Sequence, residues 1–337
     1  MTKAEDFQGD QLVNARRKGL FWVSVNLFLI TLMAVLVASS EWGRDQLLPI
    51  LRQADLLWLF LGWVCMNLAV FVLGFRWRAL LPQNSNVSGS FLGTALSAAL
   101  LLNYAIPGPF GEIAAAWFVH KRSGMPITTA LVAGTTARLV GLLSAAIGAV
   151  ALWPLIDVQL PNTYQPIFSF LVLGMALCCL ILGLIIVLPH RFLPPVRDPE
   201  SETKGRRLIN DVLEALVSSS RLGVRAYSKA FAWSIFGHVL AGIGVYTVLY
   251  SLYGSLDVGG VFFSYLTMTC SSAFAFLVPG SQWPWDAVMG TLLGSTTHLE
   301  LFAAATAAIA LRLTQLAMMG VGLIALQVLL LKNSPSE

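Results

Sequence analysis

Long apolar runs separated by short polar turns make up most of the chain. A run of about 20 apolar residues is long enough to cross the hydrocarbon core of a bilayer as an α-helix. Six runs come close to or exceed that length, and each predicts a spanning helix: Leu20–Ala38, Leu56–Gly74, Ile127–Trp153, Ile167–Leu188, Phe231–Leu252 and Leu301–Leu331. The first follows Arg16-Arg17-Lys18 and is too long for the apolar part of a signal peptide, so we expect an uncleaved anchor.

Proline and glycine interrupt two further apolar regions. Thr94–Ile106 stops at Pro107-Gly108-Pro109 and resumes as Phe110–Val119. Ser264–Val278 stops at Pro279-Gly280 and resumes as Trp283–Leu293. Each half would form about 15–22 Å of helix, against a hydrocarbon core of about 30 Å. Each region could therefore be one kinked spanning helix or a re-entrant hairpin that returns to the side from which it entered.

The distribution of positive charge favours the hairpins. Arg76 and Arg78 precede the first interrupted region, and Lys121 and Arg122 follow it. Basic residues accumulate on the cytoplasmic side of membrane proteins, and only a hairpin leaves all four of these on one side. The same assignment puts both termini and the basic segment 190–229 in the cytoplasm, while the opposite side receives 154–165, which has no basic residue.

With two hairpins, the chain divides into two similar units. The first covers about residues 56–153 and the second about 231–331, and a cytoplasmic linker with an amphipathic helix, about 190–228, joins them. The first hairpin would enter from the cytoplasm and the second from outside. We therefore predict an all-α polytopic membrane protein, a single transmembrane domain over residues 1–337, with about six spanning helices and two re-entrant helical hairpins in an inverted-topology repeat.

Composition agrees with a membrane protein and argues against other classes. Apolar residues make up 57% of the chain and charged residues 11%, and the mean hydropathy is +0.75. The net charge of +4 comes without a basic stripe carrying interleaved aromatic residues, so we expect no nucleic-acid partner. The four cysteines lie in apolar runs without metal-ligand spacing, and no Gly-rich Lys-Ser/Thr loop indicates ATP binding. We expect no metal and no cofactor.

The two units carry the same pattern of ionisable residues. Glu112 and Arg138 follow the first Pro-Gly break, Asp286 and Arg312 follow the second, and acid and arginine are 26 residues apart in both. A charged residue in the membrane interior costs about 2.5–3.5 kcal/mol on insertion scales and usually has a function. Two interpretations stay open. The pairs are closed salt bridges that hold the hairpins, or at least one arginine contacts an anionic substrate, since a guanidinium fits phosphate bidentately.

Residues around the breaks complete the predicted site. Freed backbone N–H groups at the start of a half-helix attract anions. Asn103 and Tyr104 could satisfy such groups or contact substrate, and Trp283 could anchor the interface or bind substrate. The candidate substrate-binding residues are Asn103, Tyr104, Pro107, Gly108, Gly111, Glu112, Arg138, Pro279, Gly280, Trp283, Asp286 and Arg312. We interpret Arg76 and Arg78 as snorkelling topology determinants, and His238 as a hydrogen-bonded buried histidine rather than a proton relay.

Two stretches resemble the signatures of a known family. Asn103–Glu112, which reads NYAIPGPFGE, and Thr136-Ala137-Arg138-Leu139 resemble the first signature of the lysylphosphatidylglycerol synthase transmembrane-domain family. Phe276–Asp286 with Leu311-Arg312-Leu313 resembles the second, and Phe75–Arg78 also fits. Where family members often show Pro-Gly-Gly-x-Gly-x-x-Glu, this chain has Ser281, Trp283 and Asp286. The resemblance covers about residues 15–331 and implies a flippase-type domain, here a stand-alone member without the soluble synthase domain.

The leading functional hypothesis is a lipid translocase, a flippase or scramblase, that is not driven by ATP. An anionic or phosphate-bearing lipid would cross at the interface of the two repeats. The alternatives are a secondary transporter of a small solute or ion, or an intramembrane lipid-modifying enzyme. No nucleophile with a nearby base indicates the enzyme, so we expect no catalytic residues. The expected partner is a phospholipid or isoprenoid-linked lipid, and a separate lipid-synthesising enzyme and homo-oligomerisation stay open. We expect the chain in a bacterial cytoplasmic (inner) membrane.

Overall fold

The structure is a computed structural model, and it describes residues 39–41, 43–105, 110–156, 177, 217, 221–275 and 282–332. Within these residues every regular element is helical. The predicted spans Leu20–Ala38 and Ile167–Leu188 and most of the predicted linker at 190–228 lie outside the described residues. The all-helical class is therefore confirmed for the described part of the chain.

Nine α-helices make up the described part of the chain. In chain order they are α1 (Leu48–Gln53), α2 (Leu56–Leu80), α3 (Gly89–Ala105), α4 (Phe110–Ser123), α5 (Ile127–Leu152), α6 (Gly223–Tyr253), α7 (Val258–Ala275), α8 (Gln282–Thr297) and α9 (Leu301–Lys332). A π-helical turn at Gly43–Leu47 precedes α1, and a 3-10 turn at Trp153–Leu155 follows α5.

Four of these helices, α2, α5, α6 and α9, are long and apolar enough to cross a membrane, as predicted. Two predicted ends are wrong. Helix α2 continues past Gly74 to Leu80, and α6 begins at Gly223 rather than at Phe231. Both helices extend beyond their apolar runs because helical hydrogen bonding does not require apolar side chains, and Arg and Lys are good helix formers.

Four shorter helices that follow α1 in the chain correspond to the predicted half-helices. They are α3, α4, α7 and α8, with 17, 14, 18 and 16 residues. Each is longer than predicted on the side away from the Pro-Gly break. The breaks themselves, at 106–109 and 276–281, lie outside the described residues.

Local turn chemistry determines where several helices begin and end. Asp55 caps α2, and its carboxylate accepts a hydrogen bond from the backbone N of Leu57 at 2.9 Å. Gly124, with φ of 73°, separates α4 from α5, and Gly254, with φ of 71°, ends α6. Glycine suits both positions because it takes the left-handed region without steric cost. Short turns of this kind keep consecutive helices adjacent.

The eight longer helices repeat one order. Helices α2–α5 run long, short, short, long, and α6–α9 run the same way. The first helices of the two sets, α2 and α6, pack antiparallel. Gly62 of α2 lies against Gly244 of α6, and Ala69 lies against Gly237. The second contact resembles the first with the roles of α2 and α6 interchanged.

Other contacts between the two sets of helices also come in two versions, with the roles of the two sets interchanged. Helix α3 packs on α9, and α7 packs on α5. Gly322 of α9 meets Leu101 of α3, and Gly148 of α5 meets Leu266 of α7. Small residues at such crossings let helix backbones approach closely. Each pair of short helices is thus held by the last long helix of the other set.

Small side chains fill the contact between α2, α3 and α4. A Cβ added to Gly74 of α2 would collide with the backbone of Gly93 of α3. Alanines on facing sides of α3 and α4 are buried, namely Ala95, Ala98, Ala99, Ala115 and Ala116. This close contact fixes the first pair of short helices against α2.

Candidate functional site

The first ion pair joins α4 to α5. Arg138, midway along α5, donates from Nη1 to Oε1 of Glu112 at 2.6 Å. Glu112 lies in the first turn of α4, where the helix dipole favours a carboxylate. The two side chains are 34% and 28% exposed, so the pair is open on one side. The predicted pairing of Glu112 with Arg138 is confirmed.

Asn103 connects this carboxylate to α3. Its Nδ2 donates to Oε1 of Glu112 at 3.3 Å, and its Oδ1 accepts from the backbone N of Gly111 at 2.8 Å. The side chain thereby satisfies one of the N–H groups that lack a helical partner at the start of α4. A Cβ on Gly111 would collide with the carbonyl of Ala99 and with Asn103, so this bond depends on glycine.

The second ion pair, in α8 and α9, is closed more tightly. Arg312 donates from Nε to Oδ2 of Asp286 at 2.9 Å and from Nη2 to Oδ1 at 2.7 Å. This is the bidentate geometry in which arginine binds carboxylates most strongly. The side chains of Arg312 and Asp286 are only 14% and 21% exposed. The predicted pairing is confirmed here as well, and the two pairs differ in geometry and exposure.

A cavity of about 740 Å³ lies between the two sets of helices, next to the first ion pair. Asn103, Glu112 and Arg138 line it from one side, and His238 and Gln315 line it from the other. Much of the remaining wall is apolar and includes Met66, Ala69, Val70, Leu73, Leu96, Leu100, Leu142 and Met318. Asp286 and Arg312 are not among the described residues that line it. A largely apolar cavity with a few converging polar groups is the usual form of a ligand site.

His238 links the two sets of helices across this cavity. One ring nitrogen, Nε2, lies 2.9 Å from the carbonyl oxygen of Gly141 in α5, and the other, Nδ1, lies 3.1 Å from the hydroxyl of Tyr265 in α7. A carbonyl only accepts, so Nε2 carries the proton, and a neutral ring can then accept from Tyr265. The interpretation of His238 as a hydrogen-bonded histidine rather than an unpaired one is confirmed, and the side chain is half-buried.

Arg76 is the cavity residue whose role the sequence interpretation missed. We expected it to snorkel toward the membrane surface together with Arg78, but it is buried and lines the cavity. The expectation is wrong because residues two apart on a helix point in widely different directions, so Arg76 and Arg78 do not share a face. That spacing was the signal available in the sequence.

The remaining candidate residues are placed only in part. Tyr104 belongs to α3 and Trp283 to α8, but their side chains lie outside the described part of the structure. The described part of the structure does not include the residues at the two breaks, which are Pro107, Gly108, Pro279 and Gly280. Among the described residues, no group of three His, Cys, Asp or Glu side chains could hold a metal ion.

The long apolar helices define a multi-pass helical membrane protein. A family model described as the lysylphosphatidylglycerol synthase TM region matches residues 23–322, most of the chain, and no soluble synthase domain is detected. The chain belongs to this family, as its resemblance predicted. No curated protein and no solved structure matches the chain significantly.

Proposed function

We propose that the protein is a lipid translocase, a flippase or scramblase, for an anionic or phosphate-bearing lipid. The observation that carries this proposal is the largely apolar cavity between the two sets of helices, with the guanidinium of Arg138 in its wall. A phosphate inside a membrane needs a cation, and the acyl chains of a lipid need apolar surroundings. Membership of the lysylphosphatidylglycerol synthase TM region family supports the same substrate chemistry.

An inverted-topology repeat is part of this proposal. Helices α2–α5 form the first unit and α6–α9 the second, with the same helix order. The antiparallel contact of Gly62 with Gly244 and of Ala69 with Gly237 supports opposite orientations of the two units. In transporters, units related in this way bind substrate at their interface near the midplane of the membrane. The cavity lies at this interface.

The pairs α3–α4 and α7–α8 are the proposed re-entrant hairpins. Helices of 14 to 18 residues are about 21–27 Å long, shorter than a hydrocarbon core of about 30 Å. The hydrogen bond of Gly111 to Asn103 and that between Ser264 and Thr296, at 2.9 Å, indicate that the arms of each pair lie side by side. If the two helices of each pair enter and leave on the same side of the membrane, the break between them lies inside the membrane. The start of α4 then lies inside the membrane as well.

The two ion pairs have different roles in this proposal. Arg138 is 34% exposed and Arg312 only 14%. A headgroup phosphate in the cavity can take N–H donors of Arg138, while Glu112 holds the side chain in place between substrates. Arg312, bound bidentately by Asp286, acts as a tie between α8 and α9. We therefore assign the substrate contact to Arg138.

The proposal is tested by measuring translocation of labelled phosphatidylglycerol in proteoliposomes for wild type, Arg138→Lys and Arg312→Lys. Lysine keeps the charge but loses the planar fork that binds phosphate bidentately. Arg138→Lys is expected to keep the melting temperature of wild type and to lose most translocation. Arg312→Lys serves as the matched control and is expected to lower the melting temperature, while the folded fraction still translocates lipid.

Two results would overturn the proposal. Translocation at the wild-type rate by Arg138→Lys would make the first pair a structural tie as well. Failure of the wild-type protein to translocate any anionic phospholipid, combined with uptake of a small anion, would favour a secondary transporter instead.

A further inference from the structure

The two arginines near the end of α2 point in different directions. Arg78 donates to the carbonyl oxygens of Pro82 at 3.4 Å and Gln83 at 3.3 Å, just beyond the helix. This is a common role for a basic residue in the last turn. Arg76 is only 9% exposed. Long side chains in a helix point toward its N-terminus, so Arg76 reaches back along α2 instead of out toward the nearer helix end.

Arg76 has no counter-ion among the residues that the structure describes. Across the described ranges, no carboxylate forms an ion pair with it and no oxygen accepts a hydrogen bond from it, and its buried Nε has no partner. Its side chain lines the cavity between the two units. A buried charge without a partner is strongly destabilising. Its presence in the wall of a cavity indicates that a ligand supplies the missing partner.

Gly141 of α5 provides the space that the guanidinium of Arg76 occupies. A Cβ on Gly141 would overlap Nη1 of Arg76, the far end of a flexible side chain. The carbonyl of the same glycine accepts the hydrogen bond from His238 of α6. The guanidinium of Arg76 therefore lies where the two units meet, and Arg138 is near enough to repel it.

The charges of the described residues that line the cavity do not balance. Among the described residues that line it, Arg76 and Arg138 carry the guanidinium groups, which are positive, and Glu112 carries the carboxylate, which is negative. Glu112 is bound to Arg138, so the uncompensated positive charge belongs to Arg76. Helix α6, which corresponds to α2 in the second unit, has no basic residue in its last turn. The cavity thus has a place for one negative charge, on the side of the first unit.

We propose that Arg76 binds a singly charged phosphate oxyanion in this cavity, such as the phosphodiester of an anionic phospholipid. This inference rests on the proposed lipid translocation and narrows it to a headgroup with one net negative charge at the site. Arg138, already bound to Glu112, then contacts the same phosphate with its remaining N–H donors.

The test uses the melting temperature of purified protein in an uncharged detergent, with three added probes. These are short-chain phosphatidylglycerol, inorganic phosphate and short-chain diacylglycerol. Phosphatidylglycerol at about a hundred times its Kd is expected to raise the melting temperature of wild type by about 5–8 °C. Diacylglycerol, which lacks the phosphate, is expected to leave it unchanged. A larger rise with phosphatidylglycerol than with phosphate identifies a lipid headgroup as the ligand, and equal rises identify free phosphate.

Arg76→Gln is expected to lose the response to both phosphate probes. Without ligand, it is expected to melt at or above the temperature of wild type, because the substitution removes an uncompensated buried charge. A structural role for Arg76 would give the opposite result without ligand. Arg78→Gln is the matched control and is expected to respond to the probes as wild type does. Retention of the full response by Arg76→Gln would overturn the inference.

A second pair of variants tests the site without changing any charge. Gly141→Ala adds one methyl group that displaces the guanidinium of Arg76, and we expect it to reduce the response to phosphatidylglycerol by more than half. Gly320→Ala, in α9, adds the same methyl group where nothing lies within 4 Å. The control variant is expected to respond normally. Equal responses of the two variants would contradict the proposed position of the ligand.

Failure of this inference and failure of the proposed function give different results. If wild type translocates lipid but Arg76→Gln and Gly141→Ala keep an unchanged phosphate response, Arg76 is not part of the site and the proposed translocation still stands. If the phosphate response depends on Arg76 but wild type translocates no lipid, the anion site stands and the proposed translocation is wrong.

Discussion

Replacing each paired carboxylate by its amide, in Asp286→Asn and Glu112→Gln, tests whether the two ion pairs differ as their geometry indicates. Both substitutions keep the shape of the side chain and remove its charge. Asp286 accepts from two nitrogens of Arg312, and both side chains are mostly buried. Glu112 accepts from Arg138 and Asn103 through Oε1, on the wall of a cavity.

The expected losses of stability follow from these differences. Removing one partner of a buried pair costs about 3–5 kcal/mol, and we expect Asp286→Asn to fall in this range. A single hydrogen bond to a charged group is worth about 1.5–3 kcal/mol, and exposure to the cavity weakens it further, so Glu112→Gln is expected at the lower end. A difference of about 2 kcal/mol corresponds to roughly 4–8 °C in melting temperature.

The assay is a melting curve of each purified variant in detergent, without added anionic lipid. Glu300→Gln is the matched control, because Glu300 is exposed and lies in the turn before α9. Its loss is expected to stay within about 0.5 kcal/mol, as is usual for surface substitutions. After the same preparations are reconstituted into proteoliposomes, we expect Glu112→Gln to reduce translocation more than Asp286→Asn, since Glu112 lines the cavity and Asp286 is not among its described lining residues.

The reasoning would be refuted by the reverse order of stability. If Glu112→Gln melted well below Asp286→Asn, the first pair would be the main structural tie, and the assignment of Arg138 to substrate would lose its basis. Equal losses from both variants would show that exposure to the cavity does not weaken the first pair.

A cysteine in place of Lys121, in a cysteine-free background, is expected to react with an impermeant maleimide only from the cytoplasmic side, and labelling from outside would exclude the first hairpin. Gly74→Ala is expected to lower the melting temperature, with a cost of about 1–3 kcal/mol, because the methyl group meets the backbone of Gly93; an unchanged melting curve would contradict this close contact. His238→Phe removes the hydrogen bond to Gly141 between the units, and its melting curve is expected to shift down by a few degrees while membrane insertion, measured by fractionation, stays normal. Wild-type stability of this variant would mean that the bond does not help to hold the units together.

Some features of the site could be predicted from the sequence because they depend on patterns along the chain. Long apolar runs predict four of the described helices, and the matched spacing after the two breaks predicts both ion pairs. The ends of α2 and α6 were harder to predict, because a helix continues through basic residues as readily as through apolar ones. The orientation of Arg76 was open to prediction from its spacing to Arg78, but its lack of a partner was not.

The sequence by itself determined the class of this protein, its helices and its two carboxylate–arginine pairs. Hydrophobic length and the cost of charge in a membrane are properties of the chain, and they act wherever the helices come to lie. Only the tertiary structure decided that α2 and α6 pack antiparallel, and that one ion pair is closed while the other faces a cavity. It also decided that Arg76 lines this cavity with its guanidinium against Gly141. These features depend on contacts between residues far apart in the chain. Whether a charge is compensated is a property of its surroundings, which only the folded arrangement of the helices creates.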